Sequence, residues 1–180
     1  MLTLKTVKTK IAFWLMPSAE DRVFFQETLN FLAKEYDAPL FTPHVTIYTG
    51  QCSLTDSPAA LIDQAIDGVH PLTLRVNKLD YSNEFTKTLF VQFYASESLS
   101  QISETLRCHC AKPSDYLLNP HLSLIYKPLS EKTQRKLVTE LVFPQSEVVF
   151  DEIRAISTPP QVRSREDVED WQVICQLQLG

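Results

Sequence analysis

Glycine is scarce in this chain of 180 residues: three occur, Gly50, Gly68 and Gly180. No two stand close enough for a Gly-x-Gly-x-x-Gly turn, a Walker phosphate loop or a Gly-x-Ser-x-Gly elbow, so those nucleotide-binding and hydrolase classes are excluded. Long apolar runs are missing as well. The longest, Ile11 to Met16, has six residues, against the roughly 20 that cross a bilayer and the ~7 to 15 of a signal-peptide core. Lys5, Lys8 and Lys10 ahead of it therefore make no export signal, and the chain reads as soluble and cytoplasmic, with no membrane partner. Basic residues are outnumbered, 17 Lys and Arg against 22 Asp and Glu, for a net charge of −5. That balance argues against gripping long nucleic acid through many phosphates and leaves room for a small phosphate-bearing ligand. The four cysteines, Cys52, Cys108, Cys110 and Cys175, contain no Cys-x-x-Cys pair. Neighbouring side chains of Cys108-His109-Cys110 diverge on a helix, so the cysteines read as thiols in a reducing compartment, with no disulfide and no zinc site expected.

What is present is ordinary globular composition, 44% hydrophobic and 22% charged. A chain this long buries roughly 70% of its unfolded surface in one compact domain, so residues 1–180 are expected to form one domain or two intimate lobes. Residues 9–15 read as a strand. Ser18 then caps a helix bearing Phe25, Leu29, Leu32 and Tyr36 on one face, which ends before Pro39 and Pro43. His44 to Thr49 is a β-branched strand, Ser57-Pro58 opens a second helix, and Leu72 to Val76 alternates as a strand. The order then repeats: strand 88–94, helix 98–110, strand 121–126, helix 130–141, strand 148–156. A final strand runs over 171–179. The segment 158–170, with Pro159-Pro160 and six charged residues, reads as a mobile surface loop.

Shifting the sequence by 77 positions aligns residues 9–80 with residues 86–157. Pro43-His44-Val45-Thr46-Ile47 then falls on Pro120-His121-Leu122-Ser123-Leu124, and Phe13 on Phe90. We read this as an internal duplication. Side chains two apart on a strand share a face, so His44 projects with Thr46 and His121 with Ser123. Packed about a pseudo-twofold axis, the lobes would place two imidazoles and two hydroxyls around one cleft. Opening a cyclic phosphodiester needs a base to take a proton from water and an acid to protonate the departing sugar oxygen. Histidine titrates near neutrality and can do either, each transfer contributing about 10²- to 10⁴-fold. Hydroxyls can donate to the nonbridging oxygens, and no cofactor is needed. His70 and His109 have no such frame and read as structural. A zinc site on His44 and His121 would need a third ligand that the sequence does not name.

With these residues in view, Pro-His-Val-Thr-Ile and Pro-His-Leu-Ser-Leu-Ile-Tyr resemble the paired His-x-Thr/Ser signatures of the two-histidine phosphoesterase superfamily. The cyclic phosphodiesterase branch known from plants and yeast is the nearest likeness. It extends from Ile11-Ala12-Phe13-Trp14-Leu15-Met16-Pro17, similar to that branch's opening strand, to Trp171-Gln172-Val173-Ile174-Cys175. The resemblance implies a bilobal α+β fold, two antiparallel sheets flanking a central cleft with helices outside. It implies hydrolysis of ADP-ribose 1″,2″-cyclic phosphate and nucleoside 2′,3′-cyclic phosphates by a monomer without metal or cofactor. His44 and His121 become the acid–base pair, Thr46 and Ser123 the phosphate ligands, and Tyr126 a pocket wall. Phe85, in the polar segment 81–87 that replaces a more aromatic family loop, is the candidate contact for a nucleobase. Two rival readings are an RNA 2′,3′-cyclic phosphodiesterase or 2′-5′ RNA ligase-like enzyme acting in RNA processing, which calls for a more basic rim, and a non-catalytic nucleotide-binding module.

Overall fold

A computed structural model describes residues 10–51 and 56–180. Cys52 lies outside the described residues, and Cys108 and Cys175 carry free thiols. Within the described residues the order is β1 (Lys10–Pro17), α1 (Ala19–Tyr36), β2 (Val45–Gly50), α2 (Pro58–Ala65), β3 (Leu72–Tyr81), a 3-10 turn (Phe85–Lys87), β4 (Leu89–Phe93), α3 (Glu97–His109), β5 (His121–Ile125), α4 (Glu131–Glu140), β6 (Glu147–Thr158), α5 (Arg165–Glu169) and β7 (Gln172–Gln178). The string β-α-β-α-β thus occurs twice before the last helix and strand.

The helix starts follow from side-chain chemistry. Ser18, Ser57, Ser96, Ser130 and Ser164 each accept, through the hydroxyl, a backbone N–H of the first turn, satisfying a donor that has no partner inside the helix. α1 buries Phe25, Leu29, Leu32 and Ala33 at helical spacing and stops at Asp37, which takes the left-handed conformation at φ 49°. Asparagine and aspartate tolerate that region better than most residues. The Asp37 carbonyl accepts from Lys127 and Arg165, and its carboxylate pairs with Arg165. The chain is thereby fixed where it turns toward Phe41-Thr42-Pro43-His44.

All strand pairings are antiparallel, in the order β1-β2-β5-β4-β3-β6-β7, and a further β1–β6 pairing closes the first six into a ring. β6 is the hub. One edge carries β1 from Lys10↔Thr158 to Pro17↔Phe150, while the other takes β3 over 147–150 and β7 over 152–157. The architecture is therefore the expected α+β, with the two antiparallel units joined into one seven-stranded network. Its thinnest link is β2 to β5, a single bridge between Val45 and Leu122.

Both faces of β1 are covered, in different ways. Phe13 and Leu15 point into the main core with Val45, Ile47, Leu122 and Phe150, which α1 to α4 close from outside. Ala12, Trp14 and Met16 point the other way and join Ile156 and Trp171 in a second, smaller cluster. The 158–170 segment differs from the loop its composition predicts. It holds α5, started by a reciprocal capping box in which Ser164 and Asp167 satisfy each other's backbone donors, and anchored by the buried Val168. No helix among the described residues is long and apolar enough to cross a membrane.

Candidate active site

The bridge between Val45 and Leu122 organises the site. Both side chains are fully buried in the main core, so their strand neighbours point to the opposite face. Continuing the antiparallel register from that bridge sets His44 against Ser123 and Thr46 against His121. The strands part beyond the bridge, and the gap is a cavity of 310 Å³ whose walls include His44, Thr46, His121, Tyr126, Trp14, Tyr116 and Trp171.

The two histidines are presented alike. His44 follows Thr42-Pro43 and His121 follows Asn119-Pro120, and each Nδ1 lies 2.7 Å from the carbonyl oxygen two residues back, Thr42 O and Asn119 O. Proline fixes its own φ and biases the preceding residue to extended backbone, which holds that carbonyl in place. A carbonyl only accepts, so each neutral ring carries its proton on Nδ1, and Nε2 is the atom that gains or loses one.

Their surroundings differ. The Trp14 indole lies flat on His44, with ring centroids 3.6 Å apart and planes 10° from parallel, while Trp171 and Phe41 meet the ring edge-on at 5.9 and 6.1 Å. His44 is only 5% exposed. Burial pushes its pKa from 6.5 down to about 3; the Thr42 carbonyl opposes the shift and the nearby His121 adds to it. His121 is half-buried and met edge-on by Phe90 at 5.5 Å. Burial lowers its pKa too; the Asn119 carbonyl and Glu84 oppose this and Lys87 adds to it. His44 is therefore neutral at pH 7 in the free protein. An anion in the cavity would favour protonation of both rings.

Of the residues anticipated from sequence, His44, Thr46, His121 and Tyr126 come together around this one cavity. The Tyr126 hydroxyl sits 3.5 Å from His44 Nε2, at the outer limit of a hydrogen bond. Burial raises its pKa and keeps the phenol protonated, with Ser123 opposing the shift. Ser123 is placed differently from its counterpart Thr46. Its hydroxyl is buried and donates to the Thr86 carbonyl at 2.6 Å, so its one proton is already committed. Phe85 lies off the cavity wall. Its ring stacks behind Tyr126 with centroids 6.2 Å apart, in a layer continued by Phe41 on Tyr126 at 4.0 Å, because the 3-10 turn directs it toward the core.

Sequence reasoning missed several wall residues. Trp14 was legible only as part of an apolar run, and Trp171, Pro159, Pro160 and Val162 arrive through β6 and β7. Tyr116 was also missed. Its hydroxyl donates to Thr46 O at 2.8 Å, while Ser114 donates through Oγ to Thr49 O and through its amide to the Tyr48 hydroxyl. These bonds tie the loop that delivers His121 to the strand that carries Thr46. Burial pushes the Tyr116 phenol up to about 12, so it stays a donor at neutral pH. Among the described residues no cluster of three His, Cys, Asp or Glu side chains is poised to hold a metal ion.

The paired imidazoles can be set beside known proteins. A model of the family described as cyclic phosphodiesterase-like protein matches residues 9–179. The chain belongs to this family. It falls within the two-histidine phosphoesterases and is an enzyme of the phosphodiesterase class. The cyclic phosphodiesterase of Arabidopsis thaliana is 25% identical over 130 residues, 71% of each chain. Two solved structures share the fold of this family member. LigT of E. coli complexed with 3′-AMP has a TM-score of 0.55 at 16% identity, covering 95% of this chain and 98% of its own. A Thermus thermophilus protein has a TM-score of 0.61 at 15% identity, covering 94% and 97%.

Proposed function

We propose that this enzyme hydrolyses ADP-ribose 1″,2″-cyclic phosphate and nucleoside 2′,3′-cyclic phosphates, using His44 and His121 as an acid–base pair without a metal ion. The observation that carries the reading is the shared cavity onto which both histidines open, each with Nδ1 tethered to a carbonyl. A diester phosphorus between the two rings would have a proton acceptor on one side and a proton donor on the other. One imidazole removes a proton from water as the water oxygen bonds to phosphorus. The other gives its proton to the sugar oxygen as the ring P–O bond breaks. The product is a monoester, and proton exchange with solvent restores the starting rings.

The unequal burial favours a division of labour. His44, sealed beneath Trp14 and held neutral, suits the base; His121, nearer to solvent, is the easier to protonate once the anionic substrate is bound and suits the acid. Thr46 faces the cavity with its backbone pinned by Tyr116 and can donate to a nonbridging oxygen. The Trp14 face can support positive charge on His44 during turnover through its ring quadrupole.

The test is kinetic. His44→Ala and His121→Ala should each lower turnover of adenosine 2′,3′-cyclic phosphate by about 10²- to 10⁴-fold while the fold survives, as far-ultraviolet circular dichroism would show. Undiminished turnover in either variant would reject the acid–base assignment. Turnover abolished by EDTA and restored by zinc would reject the metal-free mechanism.

A further inference from the structure

The catalytic cavity does not end at the histidines. Side chains two apart on β1 share a face, so Lys10, Ala12 and Trp14 line one side of the cleft in sequence. The small Ala12 leaves the floor open between the indole and the lysine, whose Cα positions are about 13 Å apart at ~3.3 Å per residue. Beyond Lys10 the cleft continues into a second depression of 460 Å³. Lys10, Thr49 and Tyr116 line both, and Gly50, Lys112 and Ser114 belong to the second.

Two cations stand along this path in a chain of net charge −5, Lys10 at the junction and Lys112 in the second depression. Neither the Lys10 nor the Lys112 amine has a hydrogen bond or ion pair among the described residues. Asp115, on the same rim, pairs with neither. Several other basic side chains of this protein do have acidic partners: Lys78, Arg107, Lys127, Arg135, Lys136, Arg154 and Arg165. Size points the same way. Ligand sites usually occupy ~300 to 1,000 Å³, so 310 Å³ suits a sugar and its cyclic phosphate, and a larger nucleotide has room to extend into the neighbouring depression.

We propose that Lys10 and Lys112 form a second anion subsite, which binds a diphosphate lying beyond the sugar that carries the cyclic phosphate. The inference rests on the proposed hydrolysis and deepens it. Of the two substrate classes, the one with a diphosphate bridge would touch both subsites, and a nucleoside cyclic phosphate without a 5′-phosphate would touch only the catalytic one. The subsite acts in binding and orientation and performs no bond-making step.

The experiment compares wild type with Lys10→Ala/Lys112→Ala, and with the single charge reversal Lys112→Glu at an exposed position. Hydrolysis of ADP-ribose 1″,2″-cyclic phosphate and of adenosine 2′,3′-cyclic phosphate is followed side by side. The ratio of kcat/KM for the first over the second should fall about tenfold in the double variant, through KM, and the wild-type ratio should shrink as salt is raised. Calorimetry with ADP-ribose, which has the diphosphate and no cyclic phosphate, gives a readout independent of turnover. Wild type should bind it and both variants should bind it more weakly. An unchanged ratio together with equal ADP-ribose binding in all three proteins would overturn the subsite. Failure of wild type to hydrolyse either cyclic phosphate would overturn the proposed reaction instead, and the binding measurement would still decide the subsite.

Discussion

Acid should destabilise this fold through one identifiable side chain. Above pH 6.5 His44 is neutral in both folded and unfolded chains and adds no pH dependence. Below 6.5 the unfolded chain takes up a proton on this ring that the folded protein refuses until about pH 3. Stability therefore falls by about 1.4 kcal/mol per pH unit across that window and levels off beneath it. The whole interval corresponds to about 5 kcal/mol, a large share of the 5–15 kcal/mol that holds a typical domain together. At pH 4.5, two units into the window, the loss should be about 3 kcal/mol. His44→Gln keeps a polar side chain of similar length and removes the titration. Urea unfolding at pH 7.5 and 4.5 should show wild type losing about 3 kcal/mol more than the variant, since every other titrating group is common to both. Parallel losses in the two proteins would refute the claim that His44 is sealed and neutral, and with it the assignment of this ring as the base.

Three further outcomes follow from the geometry. Thr46→Ala should lower turnover by about 10²-fold by removing an oxyanion donor, whereas Ser123→Ala should cost less than about tenfold because its proton is given to Thr86 O; equal losses would show that Ser123 turns into the cleft during catalysis. Binding of adenosine 2′-monophosphate at pH 7 should take up protons, because an anion raises the depressed histidine pKa values; calorimetry in buffers of different ionisation enthalpy measures this, and enthalpies independent of the buffer would count against it. Tyr116→Phe, which loses the bond to Thr46 O, should lower kcat for adenosine 2′,3′-cyclic phosphate more than it raises KM. A rise in KM alone would mean that Tyr116 touches the ligand and does not position the strand.

The fold was readable wherever local chemistry dominated. Ser18 and Ser57 mark the starts of α1 and α2, and the Pro-His pairs mark where β2 and β5 begin, whereas α3 starts behind its Ser96 cap and not at residue 98. α5 escaped because five residues give no helical period and its stabilising feature is the Ser164–Asp167 box, which reads as loop polarity in sequence. Trp14 escaped for the opposite reason. A strand covered on both faces shows no alternation of polar and apolar residues, so nothing in Ile11–Met16 reveals that Phe13 and Leu15 face the core while Trp14 faces the cleft. Trp171 and Pro159 reach the site only through β6 pairing with β1 and β7, contacts more than a hundred residues long in the first case. Such pairing leaves no local trace.

The repeated motif also explains why Ser123 could not be placed from sequence. His-x-Thr and His-x-Ser present the same pattern, and the two Pro-His corners produce the same bond from Nδ1 to a carbonyl. What separates them is what each strand meets. β2 is flanked by β1, which brings Trp14 onto His44, and is held from the side by Tyr116, leaving the Thr46 side chain on the cavity. β5 is flanked by β4, whose register shifts between Leu89 and Phe90, next to the 3-10 turn whose Thr86 carbonyl accepts the Ser123 hydrogen bond. Two like sequence frames thus sit in unlike surroundings, one imidazole sealed and one half open. If the frames descend from one ancestral unit, as the offset of 77 residues leads us to propose, that divergence would free them for the opposite roles proposed above. Twin rings in identical environments would compete for the same proton, whereas rings of different affinity can hold one between them in a defined place.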